Sequence, residues 1–438
     1  MNVEIVNTGS ELMLGRVLNT HQQWLCRRLA DLGHVVTRQV AIADAASDIQ
    51  CAVREALGRA DLVITTGGLG PTSDDITREL IAEMLGKKLV EDAAVRAHIE
   101  NFFTKRGRPR PAQTSVENFV PEGAQVFLNA FGTAPGLAMK IESSEGRVPR
   151  VPNQKPDGDS WNSSLRKQWL VMLPGPPREL RPMFDAAVVP LIEREFAQEV
   201  FVCRTLRTSG IGESRVQELI EADLQPLVPR GLAIGYCARP GAVDVRLTAS
   251  GADADKVVAA AEAVVQRILG AGIFGFDDDE IENVVVKLLA AQQQTLALAE
   301  SCTGGLIANR VTDVPGASEI FLGGVVSYAN AAKQNLLGVR AESLAQQGAV
   351  SELVAREMAV GARDQFGSDF ALAVTGIAGP GGGMAEKPAG TVFIALATTE
   401  GVEVKKFSNA WERATFKQVT ATQALDWLRR KISAQVSA

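Results

Sequence analysis

The stretch DLVITTGGLGPTSDD (Asp61–Asp75) runs from an unbroken apolar strand straight into closely spaced glycines and a pair of carboxylates. A run of this kind, without alternation, predicts a strand covered on both faces, as in a parallel sheet. Outward toward the N-terminus, VEIVNTG (Val3–Gly9) and HVVTRQVAI (His34–Ile42) read as further strands. Between and after them lie amphipathic helices, Asn19–Gly33, closed by its last glycine, and Asp48–Ala60. Strands alternating with helices predict a doubly wound α/β domain over residues 1–173. SSEGRVPRVPNQKPDGDSWNSSLRKQW (Ser143–Trp169) breaks the rhythm and reads as an exposed excursion between two strands. Residues 174–275 change pattern: a helical piece, a strand, a helix, two strands and a long helix, which predict a small α+β module. Residues 276–438 return to alternating strands and helices, a second doubly wound α/β domain.

Composition narrows the function. The chain has 438 residues, 46% hydrophobic and 22% charged, ordinary globular material. A net charge of −6 argues against binding nucleic acid through electrostatics alone. The five cysteines are scattered without a CxxC pair, so neither a disulfide framework nor a structural zinc site is expected. No start resembling a secretion signal and no membrane-length apolar run is present, and a soluble, cytoplasmic protein is expected.

In the opening stretch, Gly67, Gly68 and Gly70 after Thr66 let main-chain N–H groups approach a phosphate, because no Cβ intervenes. Asp74 and Asp75 suit a hard divalent cation held by oxygen. GSELMLG (Gly9–Gly15) ends the first strand, so Glu11 should share the same crevice. A Gly-rich strand end is also ordinary turn chemistry, and both readings stand.

Together GSELMLG, TTGGLGPTSDD, GTAPG (Gly132–Gly136) and LPGPPREL (Leu173–Leu180), in this order, closely resemble the competence/damage-inducible protein A family, CinA. The resemblance implies an N-terminal domain similar to molybdopterin-binding domains. It implies divalent-metal-dependent hydrolysis of ADP-ribose there, with Mg, Mn or Co as the metal. It also implies a KH-like middle module used in dimerisation, hence a homodimer. The middle segment carries GIGE (Gly210–Glu213) rather than a GxxG followed by basic residues, so RNA clamping is the weaker reading. Two alternatives stay open: a first domain that only binds a pterin or nucleotide, and an interaction protein linked to competence or DNA damage.

The last segment resembles the CinA C-terminal domain, a nicotinamide-nucleotide amidase, through AESCTGG (Ala299–Gly305), FLGGVVSYANAAK (Phe321–Lys333), GAVS (Gly348–Ser351), VTGIAGPGGG (Val374–Gly383) and KPAGTV (Lys387–Val392). This implies that nicotinamide mononucleotide is converted to nicotinic acid mononucleotide and ammonia, with no cofactor. Amide hydrolysis needs a nucleophile, a base and oxyanion donors. Ser301 is the expected nucleophile, by the resemblance, with neighbouring Cys302 as its rival. Without a histidine in this domain, Lys333 is the expected base, with Tyr328 able to orient it or relay a proton. The N–H groups of Thr303, Gly304 and Gly305, at a helix start, are expected to serve an oxyanion or phosphate. Thr375, Gly376 and Gly379 are expected at the nucleotide, with Asn330 and Arg413 as further contacts. Where the family carries a GDR-like piece this chain reads NAWERATFKQ, in which only Arg413 fits.

Overall fold

A computed structural model describes residues 1–141, 168–196 and 200–436, so most of the Ser143–Trp169 excursion lies outside the described residues. Two compact units emerge, Met1–Phe201 and Val202–Ala438.

The first unit is built on a six-stranded sheet. Its spatial order is Val36–Ile42, Val3–Thr8, Leu62–Thr66, Gln168–Leu173, Gly136–Ile141 and Gln125–Phe127. The first four strands are parallel, and each of the last two runs antiparallel to its inner neighbour. Alternation within the strands explains why both faces are covered. Ile5, Ile64 and Val171 join Leu25, Leu29, Leu180 and Phe184 in one apolar cluster, while Val6, Val63 and Leu170 join Ile49, Val53, Ile81 and Ile99 in the other. The helical stretch Pro177–Glu195, which the sequence grouped with the middle module, buries Leu180, Phe184 and Ile192 in the first of these clusters. Its own periodicity is the same whichever core it joins, so only the fold places it.

In the second unit a four-stranded sheet runs in the order Ala233–Arg239, Ala242–Ser250, Phe201–Ser209, Ile273–Phe276. Helices Glu213–Leu224 and Ala254–Leu269 pack together against it. A second, five-stranded sheet has the order Phe321–Val326, Leu296–Glu300, Phe370–Gly376, Thr391–Thr398, Gly401–Ser408. The first three are parallel, and each of the last two runs antiparallel to its inner neighbour. Sequence reading passed over the edge strand Gly401–Ser408, whose residues alternate half-buried and exposed along most of its length.

The two faces of this sheet differ in bulk. Leu296, Leu298, Leu372, Val374 and Ile394 meet helices Ile281–Ala291, Leu306–Thr312 and Arg413–Val436. Ala297, Ala299, Ala371, Ala373 and Ala395 face helix Glu352–Phe366, which such small side chains allow to come close. The two modules of this unit are pinned by Arg429, which donates to the carbonyls of Ala271 (2.6 Å) and Ile273 (3.3 Å) and to Asp426 (2.7 Å). Among the described residues no helix is long and apolar enough to cross a membrane.

Candidate active site

Strand Leu296–Glu300 lies between two parallel neighbours and ends at the edge where an α/β sheet presents its reactive groups. The chain then turns through Ser301–Gly304, closed by the Gly304 N–H donating to the Ser301 carbonyl at 3.2 Å. Gly304 (φ 64) and Gly305 (φ 93) adopt the left-handed region that side chains disfavour. Ser301 is buried, and Lys333, on helix Asn330–Leu337, is only 1% exposed.

Ser301 Oγ and Lys333 Nζ are 3.0 Å apart. The amine also lies 2.5 Å from the Ser327 carbonyl and 3.5 Å from that of Tyr328. A neutral amine has two N–H donors and one lone pair. Donation to the two carbonyls leaves that lone pair facing the Ser301 hydroxyl. Burial pushes the Lys333 amine below the ordinary lysine range, toward this neutral form. Burial acts oppositely on Cys302, whose thiol is pushed up to about 12 and so stays protonated. Of the adjacent pair, the hydroxyl faces an amine pushed toward neutrality and the thiol is kept protonated.

Several expected contacts differ. The buried Glu300 carboxylate accepts the N–H groups of Gly305 (3.0 Å), Ile307 (3.1 Å) and Ala308 (2.8 Å). The helix start predicted to receive an oxyanion or phosphate is thus already filled by the chain's own anion. With the Gly304 N–H committed to the turn and the Gly305 N–H to Glu300, Thr303 is the member of the trio whose N–H bonds neither to the main chain nor to Glu300 among the described residues. Tyr328 does not orient Lys333 through its ring: the ring is exposed and its hydroxyl accepts from Arg413 at 2.6 Å, while its carbonyl faces the amine. Thr375 commits its hydroxyl to the Ala349 carbonyl at 2.8 Å. Gly376 is a packing glycine, since a Cβ there would stand 2.8 Å from the Thr391 carbonyl. Arg413 also donates to the Gly379 carbonyl at 3.2 Å, which brings Tyr328, Gly379 and Arg413 together. Asn330 is exposed at its helix start.

The first unit holds a cleft of about 630 Å³. Glu11, Thr66, Gly67, Gly68, Gly70, Asp74 and Asp75 all line it. At Gly68 (φ 68) a Cβ would fall 2.0 Å from Thr77 Oγ1, so only glycine fits. Asp75 turns back to accept the Thr72 N–H at 3.0 Å. Among the described residues no three His, Cys, Asp or Glu side chains gather as a protein-held metal requires. One or two carboxylates, such as Asp74 and Asp75, suffice for a Mg ion that arrives with phosphates.

Sequence reading missed Glu117, which lines the same cleft and is fully buried. One of its oxygens accepts from Thr133 Oγ1 at 3.0 Å, and the other is buried without a partner among the described residues. No local motif announces it, because its chemistry comes from burial. Desolvation, reinforced by Asp75 and Glu179 and opposed by the Thr133 hydrogen bond and Arg78, raises it from 4.5 to about 7. The folded chain then keeps a proton that the unfolded chain releases, so stability is lost as pH rises from 4.5 to about 7. The loss reaches about 3 kcal/mol. Glu117→Gln should flatten this slope in urea unfolding across that window. An unchanged slope would show that Glu117 is not the group responsible.

Comparison with known proteins covers nearly the whole chain. Residues 4–194 match the model of a probable molybdopterin binding domain, 203–275 that of the damage-inducible protein CinA KH domain, and 278–432 that of the CinA C-terminal domain. A CinA-like protein of Akkermansia muciniphila is 41% identical over 435 residues, covering 98% of each chain. The crystal structure of competence/damage inducible protein CihA from Agrobacterium tumefaciens is 39% identical, covering 35% of this chain and 93% of that one, with a TM-score of 0.34. That of a protein CinA from Thermoplasma acidophilum is 29% identical, covering 44% and 98%, with a TM-score of 0.35.

Proposed function

Because the chain belongs to the CinA family along its whole length, we propose that it is a nicotinamide-nucleotide amidase acting through Ser301 and Lys333. The observation that carries this reading is the buried 3.0 Å contact between a hydroxyl and an amine held toward neutrality. Lys333 takes the Ser301 proton as Oγ attacks the carboxamide carbon of nicotinamide mononucleotide. The tetrahedral adduct collapses as Lys333 returns the proton to the departing nitrogen, and ammonia leaves an acyl-serine. Water, deprotonated by the same amine, then releases nicotinic acid mononucleotide and restores the hydroxyl. Ammonia release from nicotinamide mononucleotide by the full chain tests the reading, and no release at neutral or alkaline pH would end it.

The first cleft favours a second activity, ADP-ribose pyrophosphate hydrolysis. Its Gly-rich floor suits phosphates, and Asp74 or Asp75 would hold a Mg, Mn or Co ion brought with them, which would supply charge neutralisation. Turnover of ADP-ribose with added metal should be lost in Asp75→Ala. Metal-independent binding without turnover would instead make this unit a nucleotide- or pterin-binding domain.

A further inference from the structure

We propose that the Ser327 hydroxyl is the hydrogen-bond donor to the scissile carbonyl oxygen as Ser301 attacks; this rests on the amidase reading. Ser327 follows edge strand Phe321–Val326, and its N–H donates to the Glu300 carbonyl at 2.8 Å. The parallel ladder, which pairs Glu300 with Val326, thereby runs on by one residue and lays Ser327 beside Ser301. Side chains alternate along both strands. Ala297 and Ala299 lead in phase to Ser301, and Val325 leads in phase to Ser327. These three apolar residues pack on the face that also holds Leu337 of the Lys333 helix. The two hydroxyls and the amine therefore share one side of the sheet.

Ser301 and Lys333 bond each other, but the Ser327 Oγ has no partner among the described residues, although the residue is wholly buried. Its carbonyl, not its hydroxyl, receives the Lys333 amine. A buried hydroxyl left unpaired is costly unless a ligand supplies the partner. The carboxamide oxygen is the acceptor that attack by Ser301 brings here, and it gains negative charge as the bond from Oγ to carbon forms. The Ser301 turn offers it little. The Gly304 N–H closes the turn, the Gly305 N–H serves Glu300, and a main-chain bond from Thr303 bears on the Cys302 sulfur. A side-chain hydroxyl aimed at the developing charge fills that gap. Ser327 keeps its own proton throughout; the proton that moves is that of Ser301, taken by Lys333.

The test measures kcat and KM for ammonia release from nicotinamide mononucleotide by the full chain. Ser327→Ala should lower kcat by about 100- to 1,000-fold, the worth of one oxyanion donor, with KM within a few-fold of wild type. The rise of activity with pH, set by Lys333, should keep its midpoint, because the hydroxyl does not bond the amine. Ser327→Cys, similar in shape but a weak donor, should show a loss of the same order and decides the matter if the alanine variant does not fold. A kcat within a few-fold of wild type, or a loss accompanied by a moved midpoint, overturns the oxyanion role while leaving the amidase standing. A wild-type chain that releases no ammonia overturns both.

Discussion

Ser301→Ala should lower ammonia release from nicotinamide mononucleotide by about 10,000-fold or more, since it removes the oxygen that would carry the acyl group and the neighbouring Cys302 thiol is kept protonated by burial. Lys333→Ala should cost about 100- to 10,000-fold, the range of general-base catalysis. Cys302→Ala should stay within a few-fold of wild type, because its thiol is held protonated by burial. The pH profile supplies a second signature. Activity should rise with pH as Lys333 loses its proton, with a midpoint below the ordinary lysine value of 10.5. That acid limb should vanish from the residual rate of Lys333→Ala. A dead Cys302→Ala beside an active Ser301→Ala would reverse the assignment of the nucleophile.

Removal of the Glu300 side chain should cost about 3–4 kcal/mol of stability in urea unfolding. Three main-chain donors lose a charged acceptor at once, in a place where Glu300 itself is 1% exposed. Glu300→Gln should fall between wild type and Glu300→Ala, since one oxygen remains and an amide N–H₂ opposes the other N–H groups. Because the next residue is Ser301, kcat should fall in both variants alongside stability. A Glu300→Ala chain as stable as wild type would show that water satisfies this helix start equally well.

The sheets were legible in the sequence where strands are apolar on both faces, as at Leu62–Thr66 and Leu296–Glu300. Half-exposed Gly401–Ser408, with lysines on its outer positions, carries no such signal. The Ser301 and Lys333 pair came from motif recognition, since a separation of 32 residues says nothing of a 3.0 Å contact. Of the expected oxyanion donors, Gly304 and Gly305 have their N–H groups engaged within the chain for a geometric reason. Glu300 ends its strand with a side chain that turns under the following helix, and a residue's direction at a strand end is set by the three-dimensional turn. The Tyr328 hydroxyl meets Arg413 and only its carbonyl faces Lys333, because the two residues straddle a strand-to-helix corner, where five-residue spacing does not place two side chains on one face.

Cys302 gives the site a chemical immunity. A sulfur that is buried and protonated reacts poorly with peroxides and alkylating agents, which seek thiolates. Amide hydrolysis at Ser301, as proposed, would then be insensitive to oxidants at the sulfur next door.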